Sequence, residues 1–343
     1  MKGIKPNIVV FVTNYPAISE TYIEVELQQI ARHFSPIVIA EVDVKAAPYL
    51  AYSATIPYYV TNDIDRITAI VREYQPVYLH GHWLTNAPKI HLISTKTGVP
   101  FTIRAHSFDS FYVRSTQCGN RDDIFSSLRS DLCRGIFTFP FFAGTFKEFG
   151  VKNDKVFLTP PVVDTELFLN NVEKLPGILN IGAFVDKKNM LEFIDIALIS
   201  RQNNSAPFNI IPVGIDISVL EKYNENNGSP VRIYSPVPHH KMPEVYGKNS
   251  WLLYTACTLK KTIGWPIAIS EAMAAGLGIC MPNVRDDLQD YVGPTLKIYN
   301  SVKQAAEIVA SPPNKSDLEA ARTKVLKYDI RHTIKPLLQL WQL

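Results

Sequence analysis

Glu271 is the one acid in an apolar run, TIGWPIAISEAMAAGLGICMP, that spans Thr262 to Pro282. The run reads as turn, helix and strand, and the carboxylate falls well inside the helix, where it is unfavourable unless something hydrogen-bonds it. A local cation or backbone N–H would make it structural. The hydroxyls of a bound ribose would make it a ligand contact, and periodicity alone leaves both open. The turn ahead of it offers further chemistry. Gly264 and Trp265 form the turn, and Pro266 suits the first helical position, where a missing N–H costs nothing. A glycine turn feeding a helix N-terminus leaves backbone N–H groups and a positive dipole end free, which suits a phosphate.

Three further groups have residue types that could do chemistry. Lys187 and Lys188 sit at a helix start, where cations oppose the dipole and so favour an anionic partner over a merely solvated turn. His80 and His82 stand two apart in a His-Gly-His-Trp sequence and could ligate a metal. No third ligand is visible nearby, so no metal site is expected. His106 follows an apolar strand at 101–105, and ligands of open α/β sheets lie beyond the carboxyl ends of strands. The alternative for His106 is a half-buried ring satisfied by a backbone carbonyl.

These residues must be positioned by alternating strands and helices. Residues 7–12 form a β-branched run of the kind buried on both faces of a parallel sheet. Ser19 offers an N-cap. Ile23, Leu27, Ile30 and Phe34 then recur at helical spacing, with Glu24, Glu26, Gln28 and Arg32 opposite. Strands follow at 37–40, 76–79, 101–105, 135–138 and 155–158, with a helix at 143–149. The Pro160-Pro161 pair suits a stiff linker. Further strands fall at 178–181, 208–213, 232–234, 251–255 and 277–281, and 224–229 reads as a surface loop. Gly276 is placed to stop the 267–275 helix. Residues 328–343 predict an amphipathic helix that Pro336 would kink.

A chain of 343 residues exceeds the usual single domain, so two are expected. With 46% hydrophobic and 20% charged residues it can bury a sizeable core. A net charge of +3, with scattered Lys and Arg, argues against a nucleic-acid partner. Cys118, Cys133, Cys257 and Cys280 have no metal-type spacing, which favours a reducing compartment, and Cys280 reads as a small buried hydrophobe. The apolar run after Pro6 is too short for a spanning helix and reads as a first core strand.

GWPIAISEAMAAGLGICMP resembles the carboxyl-terminal half of the Glu-x7-Glu motif of GT-B glycosyltransferases, in particular the retaining, glycogen-synthase-like family. The resemblance implies that Glu271 binds a nucleotide ribose and that Gly264, Trp265 and Pro266 cradle the diphosphate and sugar. At the position of the motif's first Glu stands Ile263. NYPAISETYIEVEL resembles the Pro-x-x-Ser-Glu-Thr-Phe segment of bacterial exopolysaccharide and lipopolysaccharide glycosyltransferases, which implies an acceptor-side role for Ser19 and Glu20. His82 would shape the same side. RAHSFD resembles the family's Thr-x-His-x-x-Asp segment, in which His106 contacts the transferred sugar and Asp109 and Arg104 are weaker candidates. GAFVDKKN resembles the Gly-Arg-x4-Lys-Gly loop that holds the donor diphosphate. Gly182 and Lys188 match, while Ala183 stands where an arginine fork would be; Lys187, or Lys260 and Lys261, would compensate. Val237, Pro238 and His239 would present backbone to the base.

The resemblance covers essentially the whole chain. It implies an α/β GT-B fold of two Rossmann-like domains facing across a cleft, residues 1–165 on the acceptor side and 166–325 on the nucleotide-sugar side. The last helix, 326–343, crosses back to the first domain. The implied activity is transfer of a sugar from a nucleoside diphosphate sugar to a glycan or lipid-linked acceptor, with retention, in cell-surface polysaccharide synthesis. His106, Lys188 and Glu271 would be the central residues. No cofactor is expected, and the resemblance implies no essential divalent metal, since no Asp-x-Asp appears near the cleft loops; cations and helix N–H groups would be aimed at the departing diphosphate. The expected location is cytoplasmic, with peripheral membrane association left open. The runner-up is a binding or scaffold protein without turnover, favoured by Ile263 and Ala183.

Overall fold

The computed structural model describes residues 5–44, 51–52, 54–169, 175–201, 206–214, 216–260 and 262–342. The chain divides into two compact units, Met1–Val162 with Ile330–Leu343, and Val163–Asp329.

The first unit is built on parallel strands β1 (Asn7–Tyr15), β2 (Ser35–Asp43), β3 (Tyr58–Val60), β4 (Tyr78–His82), β5 (Phe101–Arg104), β6 (Cys133–Thr138) and β7 (Val156–Leu158). Their order is β3-β2-β1-β4-β5-β6-β7. The chain leaves β1 toward one edge and returns to lay β4 on its other side, which makes the β1/β4 boundary the switch point where such sheets open a crevice. β1 alternates strictly. Val9 and Phe11 enter one core layer with Ile37, Ile39 and Leu79, whereas Ile8, Val10 and Val12 enter the other with Val38 and Ala40. That second layer is covered by the Thr21–Ile30 helix and by the carboxyl-terminal helices Ile330–Thr333 and Lys335–Gln342, whose Trp341 ring meets Phe34 edge-on at 5.5 Å. Pro336 is the second residue of a new helix rather than a kink in a continuous one, a position that loses no helical hydrogen bond.

Two expectations for the first helix fail. Ile18–Glu20 forms a 3-10 turn, so Ser19 is not an N-cap and the helix starts at Thr21 without a side-chain cap. Its supposed polar face is also buried at Glu24 and Glu26. Glu24 accepts from the Tyr15 hydroxyl at 2.8 Å, and the partners of Glu26 come from strands far along the sequence.

The second unit carries β8 (Gly177–Ala183), β9 (Phe208–Val213), β10 (Val231–Ile233), β11 (Asn249–Leu253), β12 (Gly278–Pro282) and β13 (Leu296–Tyr299). They lie in the order β10-β9-β8-β11-β12-β13, all parallel, with the switch point between β8 and β11. The Ser218–Asn226 helix takes in part of the expected 224–229 loop. Asn224 is buried there, its amide donating to the Val231 carbonyl at 3.0 Å and accepting from the Val231 N–H at 3.1 Å. Pro266 is the N-cap of the Ile267–Ala275 helix, not its first residue, because its ψ of 133° is extended. Cys280 is buried in β12, and all four cysteines are free thiols.

Gly276 ends that helix at φ +77°, and a Cβ there would stand 2.6 Å from the Arg322 guanidinium, which donates to the Ala275 carbonyl at 3.1 Å. Gly98 has a similar φ of +75° with open space around it. Gly98→Ala should therefore show backbone strain alone, about 1–2 kcal/mol. Gly276→Ala should cost visibly more in urea unfolding, because it also displaces the arginine cap.

Candidate active site

Each unit carries a polar cluster at its switch point. In the first unit, His80 and His82 on β4 pair in register with Thr102 and Arg104 on β5. Val10 pairs with His80, so all four side chains point into the core layer that the Thr21–Ile30 helix covers. Glu26 reaches them from that helix. Its Oε2 lies 2.6 Å from Arg104 Nε and its Oε1 3.2 Å from His80 Nε2, with both carboxylate and imidazole fully buried. Burial opposes the Glu26 charge, but Arg104 and the His80 contact outweigh it and hold the carboxyl well below the usual carboxylate range. Burial lowers His80 and His82, so both are neutral at neutral pH. Arg104 also donates to Thr159 Oγ1 at 3.2 Å.

The third ligand-type group that the sequence hides near His80 and His82 is Glu26. One ligand atom from each of the three lies within 4.8 Å of the others. A cation among them would have to displace the Arg104 guanidinium from the carboxylate, which argues against a metal.

His106 follows β5 and stacks on His82 at 5.2 Å, its Nε2 3.0 Å from His82 Nδ1. Tyr22 and Trp83 pack on its ring at 4.9 and 5.1 Å. Burial, with the Arg104 charge, lowers it to about 3, so the half-buried ring is neutral. Trp83 has φ +68°, unusual for a bulky residue and worth about 1–3 kcal/mol of strain. It is held there by its N–H on the Arg104 carbonyl at 2.9 Å and by Asn86 on the His82 carbonyl at 2.8 Å. Asp109 is structural in its contacts. It accepts the N–H groups of Leu84, His106 (2.7 Å) and Ser110 (3.0 Å), while burial pushes its carboxyl up to about 7. Ser19 is exposed. Glu20 Oε2 is buried with no hydrogen-bond partner, and burial raises that carboxyl to about 7.

In the second unit, Gly182 near the end of β8 has φ +141° and Ala183 is half-buried. Asp186–Lys188 forms a 3-10 turn in front of the Met190–Ser200 helix. Lys188 Nζ donates to the Tyr254 hydroxyl and lies 4.1 Å from that ring's centroid. Burial, with Lys187 beside it, lowers Lys188 to about 7, and burial lowers Lys187 as well. Lys260 pairs with Asp186 at 2.9 Å on the surface, and Lys261 lies outside the described residues. Ile263 is buried. The Trp265 ring stacks flat on Tyr291 at 4.7 Å, and its Nε1 donates to Asp287 at 2.8 Å. It packs the turn rather than lining an open surface.

Glu271 is 6% exposed. It accepts from the Tyr246 hydroxyl at 2.8 Å and meets His239 Nε2 at 3.1 Å. Burial lowers the His239 pKa, but the Glu271 hydrogen bond and charge, with Asp164, raise it on balance. Two partners leave a carboxylate further acceptor capacity. Of the three residues in the 237–239 segment, only His239 reaches Glu271 with its side chain; Val237 is half-buried and Pro238 exposed. Glu26, Tyr22, Tyr246 and Tyr254 were not legible as site residues. Each is defined by a partner distant in sequence, and none carries a local signal.

No protein-family model matches the chain, and no curated protein matches it. Solved structures do. A glycosyltransferase from Rickettsia africae has 16% identity and a TM-score of 0.67 over 98% of both chains. HepE from Anabaena, in complex with UDP and glucose, has 11% identity and a TM-score of 0.72 over 98% of this chain and 99% of its own. Sucrose-phosphate synthase from Thermosynechococcus elongatus has 14% identity and a TM-score of 0.68 over 98% of both. At such identities the likeness establishes the fold, GT-B, and leaves the chemistry to the site.

Because its folded pKa is raised, His239 adds stability that is fully present below its unfolded value near 6.5 and lost as pH rises through the folded value. The difference in unfolding free energy between wild type and His239→Gln should be largest near pH 5.5 and shrink toward pH 9. A difference that grows with pH would contradict the ion pair.

Proposed function

We propose that this chain is a glycosyltransferase that moves a sugar from a nucleoside diphosphate sugar to a glycan or lipid-linked acceptor. The observation that carries this reading is Glu271, a nearly buried carboxylate held by Tyr246 and His239 in the helix whose N-terminal turn, Gly264 to Pro266, stands at the second unit's switch point. Glu271 would accept the ribose hydroxyls. The turn's N–H groups and Lys188 would take the diphosphate, where negative charge grows as the sugar leaves. Val237 to His239 would meet the base. HepE, which shares the fold, was solved with UDP and glucose, and that supports a nucleotide-sugar donor here.

The finer parts of the proposal follow from the motif resemblance. They are retention of configuration, catalysis without a divalent metal, a role in cell-surface polysaccharide synthesis, and a cytoplasmic site of action with peripheral membrane contact. No described helix is long and apolar enough to cross a membrane. His106 would touch the transferred sugar, with Glu20, Ser19, His82 and Asp109 on the acceptor side. An apolar Ile263 in place of the motif's first Glu suits a donor with fewer hydroxyls, such as a deoxysugar. The same residue, with Ala183, favours the second reading of a GT-B-fold binding protein without turnover.

Calorimetry against UDP, GDP, dTDP and CMP distinguishes a donor site from none. One diphosphate should bind the wild type, with affinity lost at least tenfold in Glu271→Ala and Lys188→Ala. An anion restores the charge of a lysine whose pKa lies near 7, so binding at pH 8 should take up protons. The observed enthalpy should then change with the buffer's ionisation enthalpy, and Lys188→Ala should abolish that change. No binding by any nucleotide would sink the donor site.

A further inference from the structure

In the second unit, the segments that follow β8 and β11 are fastened together residue by residue. The Lys188 carbonyl accepts from Thr255 Oγ1 at 2.8 Å, and the Lys187 carbonyl accepts from the Cys257 N–H at 3.0 Å. Lys260 meets Asp186 at 2.9 Å. Thr255 is itself fixed, because its hydroxyl accepts from the buried Asn180 amide at 3.0 Å. That amide also donates to the Leu253 carbonyl at 2.9 Å. The backbone that carries Lys188 is therefore held from the end of β11, whatever its side chain does.

The side chain is held differently. Its head lies where β8 ends, since a Cβ on Gly182 would stand 3.7 Å from both Cε and Nζ of Lys188. Among the described residues its one hydrogen-bond partner is the Tyr254 hydroxyl, and Nζ lies over that ring at 4.1 Å from the centroid. Tyr254 is 2% exposed. Burial drives its pKa up, so the hydroxyl stays uncharged. A neutral hydroxyl is a weaker partner for an ammonium than a phosphate oxygen, whose charge-assisted bond is roughly twice as strong. Lys188 thus combines a fixed backbone with a head whose partner an anion can replace.

We propose that Tyr254 is a positioning residue: its hydroxyl holds the Lys188 head at the β8/β11 switch point, and an incoming diphosphate must displace it to reach the lysine. The hydroxyl then stabilises the ligand-free form and so weakens binding. Replacing it with hydrogen removes the competitor and leaves the ring and the Thr255 contact in place. This deepens the transferase reading and rests on it for the claim that Lys188 meets the donor diphosphate.

Calorimetry of the full chain against UDP, GDP, dTDP and inorganic pyrophosphate tests the displacement. Whichever of them binds the wild type should bind Tyr254→Phe about two- to tenfold more tightly, the worth of one net hydrogen bond. In a Lys188→Ala background the same replacement should change nothing, which a general loosening of the fold would not reproduce. Equal or weaker binding by Tyr254→Phe would overturn the proposal, as would a gain that persists without Lys188. Should Tyr254→Phe fail to fold, wild-type proton spectra decide. Cross-relaxation between the Lys188 ε-protons and the Tyr254 ring protons should be present in the free chain and vanish at saturation with the diphosphate. Its persistence there would overturn the displacement. Binding of none of the four ligands would sink the donor site and the displacement together, whereas binding without a gain in Tyr254→Phe would sink the displacement alone.

Discussion

A parallel sheet buried on both faces leaves its strand ends as the places where side chains can meet a ligand. That constraint organises both units. β1 is apolar on both faces from Ile8 to Val12, and the first unit's polar cluster sits in the last residues of β4 and β5, where Glu26 meets it from the Thr21–Ile30 helix and His106 follows it. The second unit repeats the pattern past β8 and β11. Ridges of β-branched residues supply the burial, and the crossover helices return the chain so that all these ends lie on one edge.

Buried charge is the second theme. The Glu26–Arg104 pair interrupts an apolar layer, and its desolvation cost means that it contributes little net stability. His80 and Arg104 meet one carboxylate from neighbouring strands, and burial leaves the neighbouring histidines neutral. Glu271 repeats the arrangement more simply, its carboxylate held by Tyr246 and His239.

Much of this was legible in the sequence. Strand positions followed from β-branched runs, the turn at Gly264 to Pro266 from its residue types, and the GT-B architecture from the order of four motifs. Glu271 could be singled out because a lone acid in an apolar helix requires partners. Which partners it has was not legible, since Tyr246 and His239 lie in a loop and helix with no pattern of their own. Glu26 was assigned to a solvated face because periodicity sees only the helix it sits on, while Arg104 and His80 arrive from strands that the sequence cannot align in register. The cap expected of Ser19 failed for a local reason, the 3-10 turn that precedes the helix.

The central claim is that the turn ahead of Glu271 and the carboxylate behind it form one nucleotide site. A crystal structure of the protein grown with UDP tests it most directly. The account predicts ribose hydroxyls within hydrogen-bonding distance of Glu271 and the diphosphate against the N–H groups that follow Gly264, with Lys188 turned from Tyr254 toward a phosphate oxygen. A nucleotide bound elsewhere, with Glu271 still closed on Tyr246 and His239 alone, would contradict it.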